Sequence, residues 1–205
     1  MVGMINQDIL NQIELDALKR NIPVMQKEGI EFIISKLKEN NTKTLLEIGS
    51  AIGYSAMCFV NGKKDLQVET IELSDERYLE AQSNIKLYQF EQTIFLHHAD
   101  ALIFNPNDLK IKQFDCLFID AAKAQYQKFF EKYIDYVKKD GIVIVDNLDF
   151  HGMVDDIASI KNRNTRQLVK KIKRFKDWIF NHELYDVTYY TIGDGIAIIK
   201  RKDIK

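Results

Sequence analysis

The sequence predicts an α/β fold with a mainly parallel, seven-stranded sheet and helices on both faces. From residue 44 onward, short apolar runs rich in β-branched residues alternate with segments of helical periodicity, which is the pattern of successive βαβ units. The last two strands are separated only by Gly193 and Asp194, a gap of hairpin length, so this pair is predicted to be antiparallel. The predicted strands are residues 44–49, 68–73, 94–99, 114–120, 141–147, 187–192 and 195–201.

Helices are predicted before and between these strands. Residues 8–20 and 26–38 have helical periodicity, and Pro23 marks the break between them. From Tyr126 to Val137, apolar residues recur at intervals of three and four, which predicts a helix with one face on the sheet. A chain of 205 residues is expected to form one domain, with residues 1–40 as an N-terminal helical cover and 44–201 as the core.

The composition excludes several classes of protein. Lys and Arg number 29 against 30 Asp and Glu, so the chain is not a globally basic nucleic-acid binder and any polyanion site must be local. Cys58 and Cys116 stand in apolar runs without the paired spacing of a zinc or redox motif, so we expect reduced core residues. The first 20 residues lack a signal-peptide core, and no run approaches the about 18 apolar residues of a membrane span. We therefore expect a soluble, cytoplasmic protein without membrane association.

A glycine-containing turn follows the first predicted strand. In LLEIGSAIGYS, Gly49 and Gly53 allow backbone to approach a ligand, and the next helix offers free N–H groups. A dinucleotide fingerprint needs G-x-G-x-x-G, so the four-residue spacing weakens a nicotinamide interpretation and leaves a bare structural turn as the alternative. Glu72 ends the second strand about 20 residues on, where an acid can accept hydrogen bonds from ribose hydroxyls. The two features together indicate an adenosine-containing ligand.

Oxygen-bearing side chains follow the fourth and fifth strands. Asp120 ends one, and Asp146 with Asn147 ends the other, so they should converge at the carboxyl edge of the sheet if the strands are neighbours. Two carboxylates and an amide suit Mg²⁺ or Ca²⁺. The alternative is that Asp120 caps the next helix and the other two start a turn. We interpret His97 and His98 as strand residues, since no third ligand with suitable spacing is near.

These segments resemble the metal-dependent O-methyltransferase family that includes the catechol and caffeoyl-CoA enzymes. The resemblance runs through IPVMQKEGIEFI, LLEIGSAIGYS, IELSDE, HHADAL, FIDAAKAQY, GIVIVDN and GDGIAIIKR, nearly the whole chain. It implies a Rossmann-like class I methyltransferase fold, S-adenosylmethionine (SAM) and Mg²⁺ as cofactors, and a homodimer. DAAKAQYQKFF, NTRQLVKKIKRF and GDGIAIIKR are most similar to the bacterial branch that methylates 5-hydroxyuridine at the wobble position of tRNA.

The resemblance also implies roles for individual residues. Near a dication and a cationic sulfonium, the ammonium form of Lys123 would be disfavoured, which makes this lysine a plausible general base. The alternative is that Lys123 forms a surface ion pair. Asp120 is expected to bind the metal, to contact the cofactor and to take part in catalysis. One departure is DNLDFHG, where Asp149 and His151 add polar groups after the metal pair. The implied SAM contacts are Met25, Glu47, Gly49, Ser55, Glu72, Asp100, Ala101 and Asp120, and the implied metal ligands are Asp120, Asp146 and Asn147.

A basic segment at residues 161–174 suggests a polyanionic partner. It contains seven lysines and arginines and no acid, so it could contact phosphates. The alternative is a solvated helix face. Phe175 and Trp178 lie just beyond it and could stack an unpaired base, although core packing fits Trp178 better. The RNA-binding candidates are Arg163, Arg166, Lys170, Lys171 and Arg174.

Together with the basic segment, the resemblance implies methylation of the tRNA anticodon loop, converting wobble 5-hydroxyuridine to 5-methoxyuridine. The alternatives are a small-molecule O-methyltransferase acting on a catechol or an acyl-CoA phenol, a nicotinamide-dependent oxidoreductase, and a non-catalytic RNA-binding module.

Overall fold

The computed structural model describes residues 5–203. Seven strands form one sheet: β1 (Thr44–Ile48), β2 (Gln67–Glu72), β3 (Ile94–His98), β4 (Phe114–Ile119), β5 (Val137–Val145), β6 (Tyr185–Tyr190) and β7 (Ile196–Arg201). The α-helices are α1 (Gln7–Lys19), α2 (Lys27–Glu39), α3 (Tyr54–Gly62), α4 (Asp75–Leu87), α5 (Tyr126–Tyr133) and α6 (Arg163–Phe180). Short 3₁₀ turns span Pro106–Asp108, Lys123–Gln125, Ile134–Tyr136 and Ile157–Ser159.

The strand order is β3-β2-β1-β4-β5-β7-β6. The first five strands pair in parallel, and β7 pairs antiparallel with both β5 and β6. The predicted mixed sheet is therefore confirmed. The order reverses between β1 and β4, and an open α/β sheet binds ligands at such a point, beyond the carboxyl ends of its strands.

Neighbouring strand residues enter two separate hydrophobic cores, one on each face of the sheet. Leu45 packs in the first core with Phe59 of α3, whereas Leu46 packs in the second with Phe130 of α5. Helices α1 to α4 contribute to the first core, and α5 and α6 to the second. Burial on both faces explains why the parallel strands are continuous apolar runs. Cys58 and Cys116 are free and buried, as predicted.

Among the predicted strand boundaries, those of β5 and β6 were furthest from the structure. Strand β5 begins at Val137, four residues earlier than predicted, and its pairing with β4 shifts register between Phe114 and Cys116. The polar residues that follow Val137 hid this extension. The turn between β6 and β7 spans residues 191–195 rather than two residues, because β6 already ends at Tyr190. No helix within residues 5–203 combines the length and apolar character that a membrane span requires.

Candidate active site

A cavity of about 750 Å³ opens at the carboxyl edge of the sheet, between the segment that joins α1 to α2 and the N-terminal half of α6. A volume of this size is typical of a site for a small molecule or cofactor. Most residues nominated from the sequence lie in its wall: Met25, Gly49, Ser55, Glu72, Asp100, Ala101, Asp120, Lys123, Asp146 and Asn147.

The turn after β1 passes directly against the turn after β4. Gly49 has φ +93°, and a Cβ at this position would overlap the carbonyl oxygen of Asp120 and lie 3.1 Å from Ala121 Cα. A side chain here would therefore be strained by both conformation and contact. Glycine is required because the two turns share the floor of the cavity.

Glu72 ends β2 with its carboxylate held by two backbone amides. Oε2 accepts a hydrogen bond from Ala51 N at 2.8 Å, and Oε1 accepts one from Ser74 N at 2.8 Å. Each carboxylate oxygen keeps a further lone pair. The side chain is thus fixed in the cavity wall and can still accept hydrogen bonds from the two hydroxyls of a ribose.

Asp100 and Ala101 follow β3 on the same side of the cavity. Asp100 Oδ1 accepts a hydrogen bond from Leu102 N at 2.8 Å, and the Ala101 carbonyl accepts one from the Tyr133 hydroxyl at 2.7 Å. Both residues line the cavity, and a contact of either with SAM remains a prediction. Met25 is buried and borders the cavity from the segment between α1 and α2.

Glu47 lies behind the cavity wall, although the sequence placed it among the cofactor contacts. Its carboxylate is fully buried and accepts hydrogen bonds from Ser55 Oγ at 2.5 Å and Thr70 Oγ1 at 2.6 Å. Burial raises the pKa of this carboxyl from 4.5 to about 7. Ser55 lines the cavity, so the structure gives Glu47 a supporting position behind Ser55.

The raised pKa of Glu47 gives a stability that depends on pH. Between about pH 4.5 and pH 7, the unfolded chain ionises this group while the folded chain keeps it protonated, so stability falls as pH rises. Glu47→Gln has no proton to lose. Its unfolding free energy relative to wild type should therefore rise by about 2–3 kcal/mol from pH 5 to pH 8 in urea denaturation. Glu91→Gln, at an exposed glutamate, serves as the control. If the difference in unfolding free energy between Glu47→Gln and wild type stays constant with pH, burial does not raise the pKa of Glu47.

Asp120, Asp146 and Asn147 converge at the other end of the cavity. Ile119 and Val145 are partners in the β4–β5 pairing, so the two aspartates that follow them are neighbours. Asn147 Nδ2 lies 3.2 Å from Asp120 Oδ1 and 2.7 Å from Asp146 Oδ2. Burial raises the pKa of Asp120, and burial together with the Asp120 charge raises the pKa of Asp146 to about 7. The alternative of a plain helix cap and turn does not explain two carboxylates packed together.

The donor set fits a hard divalent cation. Two carboxylates supply negative charge, and the Asn147 amide oxygen could complete a set that leaves positions for water and substrate. Within residues 5–203, no group of three or more His, Cys, Asp or Glu side chains is arranged to hold a metal. Any metal here would thus have two carboxylate ligands at most.

His97 and His98 instead contact Glu69 and Asp75, at 2.6 and 2.9 Å, as the strand interpretation predicts.

Lys123 stands on the 3₁₀ turn after Asp120 and lines the same end of the cavity. In the described part of the chain, no carboxylate oxygen lies within 4.0 Å of its Nζ. The alternative of a surface ion pair is therefore not observed. Its positive charge opposes part of the rise that burial produces in the pKa of Asp120 and of Asp146.

Sequence reasoning missed two polar residues of the cavity wall. Arg77 on α4 and Asp194 before β7 both line it, and each has one buried polar atom without a hydrogen-bond partner among residues 5–203. Arg77 is one of many charged residues on an amphipathic helix, and Asp194 was visible only as part of a turn. His151 also lines the cavity, whereas Asp149 does not.

The basic segment forms most of α6, whose apolar side packs on the second core through Val169, Ile172 and Phe175. Arg163, Lys170, Lys171 and Arg174 are exposed, as a solvated face requires. Arg166 departs from the prediction, because its Nε donates a hydrogen bond to the Ile160 carbonyl at 2.9 Å. Phe175 is buried, and Trp178 packs against the rings of Phe130 and His182. The two aromatics are core residues and do not form a stacking surface.

Comparisons with known proteins agree with this geometry. The profile of the O-methyltransferase family matches residues 4–202. A Staphylococcus aureus protein provisionally named caffeoyl-CoA O-methyltransferase is 36% identical, with TM-score 0.90, covering 94% of this chain and 92% of its own. An O-methyltransferase from Bacillus cereus, solved in complex with SAH, has TM-score 0.81 at 23% identity, over 97% of this chain and 93% of its own, and shows a shared fold. The caffeoyl-CoA O-methyltransferase of Populus kitakamiensis is 29% identical over 190 residues, 88% of this chain and 78% of that protein.

The fold defines a Rossmann-like methyltransferase, with its cavity at the point where the strand order reverses. The chain belongs to the O-methyltransferase family. This membership leaves the nicotinamide-dependent oxidoreductase and the non-catalytic RNA-binding module without support.

Proposed function

We propose that this O-methyltransferase moves the methyl group of SAM to the hydroxyl of 5-hydroxyuridine at the wobble position of tRNA. One observation carries the proposal. A single cavity joins a wall suited to adenosine, at Glu72 and Asp100, to a pair of buried carboxylates, and it is bordered by α6, which carries exposed cations on its outer side.

The adenosine end of the cavity supports SAM as the methyl donor. Glu72 is oriented by backbone amides for ribose hydroxyls, and Asp100 with Ala101 borders the place where a base would lie. SAM, when bound, supplies an electrophilic methyl group. The B. cereus relative that shares this fold was solved with SAH.

The carboxylate end supports Mg²⁺ and an acceptor oxygen. Asp120, Asp146 and Asn147 would hold the cation, which supplies Lewis acidity toward the acceptor oxygen when bound. Lys123, in the same wall, would accept the hydroxyl proton at Nζ. The floor formed where Gly49 meets Asp120 would hold the two substrates close, and such positioning can contribute as much as ~7–11 kcal/mol to the rate.

The exposed face of α6 supports a nucleic-acid acceptor. Arg163, Lys170 and Arg174 lie seven and four residues apart, so at 3.6 residues per turn they form one row along the helix. None of the three has a carboxylate within 4.0 Å among residues 5–203, which leaves the row available to phosphates. The same helix contributes Leu168 to the cavity wall, about 140° around the helix from the row, so the row lies on the outer side of an element that borders the cavity.

A second candidate is methylation of a small phenol, such as a catechol or an acyl-CoA phenol. The relatives named as caffeoyl-CoA O-methyltransferases favour it. The same Asp120, Asp146, Asn147 and Lys123 would act on such a hydroxyl, so only the surroundings of the cavity distinguish the two acceptors.

A homodimer and a cytoplasmic location remain predictions, and light scattering on the purified protein would test the first.

The deciding experiment incubates the protein with unmethylated tRNA, SAM and Mg²⁺, digests the tRNA and measures nucleoside masses. A methyl gain on 5-hydroxyuridine that is lost in EDTA is expected. A parallel reaction with caffeoyl-CoA and with a catechol tests the second candidate. Methyl transfer to a small phenol without transfer to tRNA would overturn the RNA proposal. Methyl transfer that survives EDTA would overturn the proposed requirement for a metal.

Removing the basic row should weaken tRNA binding and spare a small acceptor. In the triple variant Arg163→Ala, Lys170→Ala, Arg174→Ala, we expect the affinity for tRNA to fall. The plot of log K against log salt concentration should become less steep by about two to three units, as expected for the loss of two to three phosphate contacts. Titration of labelled tRNA at several salt concentrations measures both. The matched control is Lys38→Ala, Lys43→Ala, Lys86→Ala, which removes three exposed lysines near the opposite edge of the sheet. Equal losses in the two triple variants would show that net charge, not this surface, determines binding.

A further inference from the structure

Asp149 follows Asn147 by two residues yet lies outside the cavity wall. Its carboxylate joins two other elements. Oδ1 lies 3.0 Å from Lys176 Nζ on α6, and Oδ2 accepts a hydrogen bond from the Tyr189 hydroxyl on β6. Lys176 Nζ is also 4.2 Å from the centroid of the Tyr189 ring. Asp149, Lys176 and Tyr189 therefore form a closed set of contacts, which we call the Asp149 cluster.

The Asp149 cluster is shielded from water. The side chains of Asp149 and Lys176 are 26% and 22% exposed, whereas those of the neighbouring Lys173–Asp177 pair on α6 are 50% and 60% exposed. Exposed pairs contribute little to stability, and polar contacts strengthen as the surroundings lose water. The Asp149 pair is therefore suited to fix the position of a loop.

The loop that needs fixing is the one that carries Asn147. Asn147, Phe150 and His151 have φ of 64°, 45° and 57°. Non-glycine residues in this conformation cost about 1–3 kcal/mol each and persist only where neighbours hold them. Asp149 stands in the middle of the three.

The same loop is bonded to the turn before β7. Leu148 N donates to the Gly195 carbonyl and Asp149 N to the Asp194 carbonyl, each at 2.9 Å, while His151 N donates to Asp194 Oδ1. Gly195 is in direct contact with the Asp149 cluster, because a Cβ there would lie 2.8 Å from Asp149 Cγ. The position of Asp149 thus determines where the loop and this turn meet the cavity.

We propose that Asp149 is a positioning residue that holds Asn147 and Asp194 at the acceptor end of the cavity through its contacts with Lys176 and Tyr189. The proposal rests on the metal-dependent function proposed above. It predicts that the Asp149 cluster controls metal affinity without touching the metal, as partners behind a metal site do.

The first measurement needs neither metal nor activity. Amide hydrogen exchange on the metal-free protein should show faster exchange at Leu148, Asp149 and His151 in Asp149→Ala and Lys176→Met. The matched control is Asp177→Asn, which breaks an exposed pair on the same helix. Unchanged exchange in both cluster variants would overturn the positioning role.

The second measurement uses Mn²⁺ as the probe, followed by electron paramagnetic resonance without SAM or acceptor. The Mn²⁺ dissociation constant should rise by about 10–100-fold in Asp149→Ala and Lys176→Met, with SAM affinity unchanged. Lys176→Arg keeps the charge and should restore binding. Tyr189→Phe, a milder change, provides the same test if the other variants do not fold.

The outcomes separate two failures. If the wild-type protein binds no Mn²⁺, the proposed metal site is wrong. The proposed effect of the Asp149 cluster on metal affinity is then wrong as well. A wild-type protein that binds Mn²⁺ as tightly as the Asp149 and Lys176 variants would overturn only the role of Asp149.

Discussion

Replacing Lys123 with methionine is expected to lower kcat/KM for methyl transfer by about 10²–10⁴-fold, the range that general acid–base catalysis contributes. Its Nζ has no carboxylate within 4.0 Å among residues 5–203 and faces the end of the cavity where the acceptor hydroxyl would lie. Methionine keeps the length and most of the packing of the side chain but cannot accept a proton. SAM affinity, measured by calorimetry, should stay unchanged, because the adenosine end of the cavity is untouched.

Two further variants separate a base from a mere positive charge. Lys123→Arg keeps the charge, but a guanidinium does not lose its proton in proteins, so this variant should be as inactive as Lys123→Met. Lys128→Met, at an exposed position on α5, should behave as wild type. Near-normal activity of Lys123→Arg would show that the residue acts by charge alone.

Replacing Asp146 with asparagine is expected to reduce the Mg²⁺-dependent rate by roughly 10²–10³-fold, since the charge stabilisation that a metal supplies is worth several kcal/mol. The Tyr126 hydroxyl bonds the backbone carbonyl of Asp146 at 2.8 Å, so the substitution leaves this contact in place. Asparagine removes the negative charge of residue 146, which otherwise lies close to the negative charge of Asp120. The variant should therefore unfold at the same temperature as the metal-free wild type or at a higher one.

The combination of lost activity and retained stability is the informative result. Calorimetric titration with Mg²⁺ or Mn²⁺ should show weakened binding in Asp146→Asn. Asp140→Asn, an exposed aspartate on the same strand, is the matched control and should change neither property. A stable Asp146→Asn protein that remains fully active would remove Asp146 from the reaction.

The parts of the site that lie on strand ends could be predicted from the sequence. Glu72, Asp120 and Asp146 each follow an apolar run, and the geometry of a parallel sheet alone brings such positions to one edge. Gly49 was predictable for the same reason, since a glycine that ends a strand indicates a close approach of backbone. Strands β1 to β4 were predicted to within one residue at each end because their buried positions leave a clear apolar signal, whereas the polar first half of β5 was missed.

The parts that depend on side-chain direction could not be predicted. Glu47 precedes Gly49 by two residues, and only the structure shows that its carboxylate turns behind Ser55. Arg166 belongs to the same basic run as Arg163, but its side chain bonds Ile160. Arg77 and Asp194 carry no local sequence signal, because the chain segments that give them a common cavity are far apart in sequence.

The contact between Gly49 and the Asp120 carbonyl also bears on how acceptors could change within this architecture. In the proposed function, it joins the half that would hold the methyl donor to the half that would hold the acceptor oxygen through main-chain atoms, which substitutions other than at Gly49 itself leave in place. The scaffold would thus set the distance between the two reacting groups. Selection, or a protein engineer, can vary the exposed residues of α6 without disturbing that distance. New acceptors should therefore be obtained more readily from changes at this rim than from changes on the cavity floor.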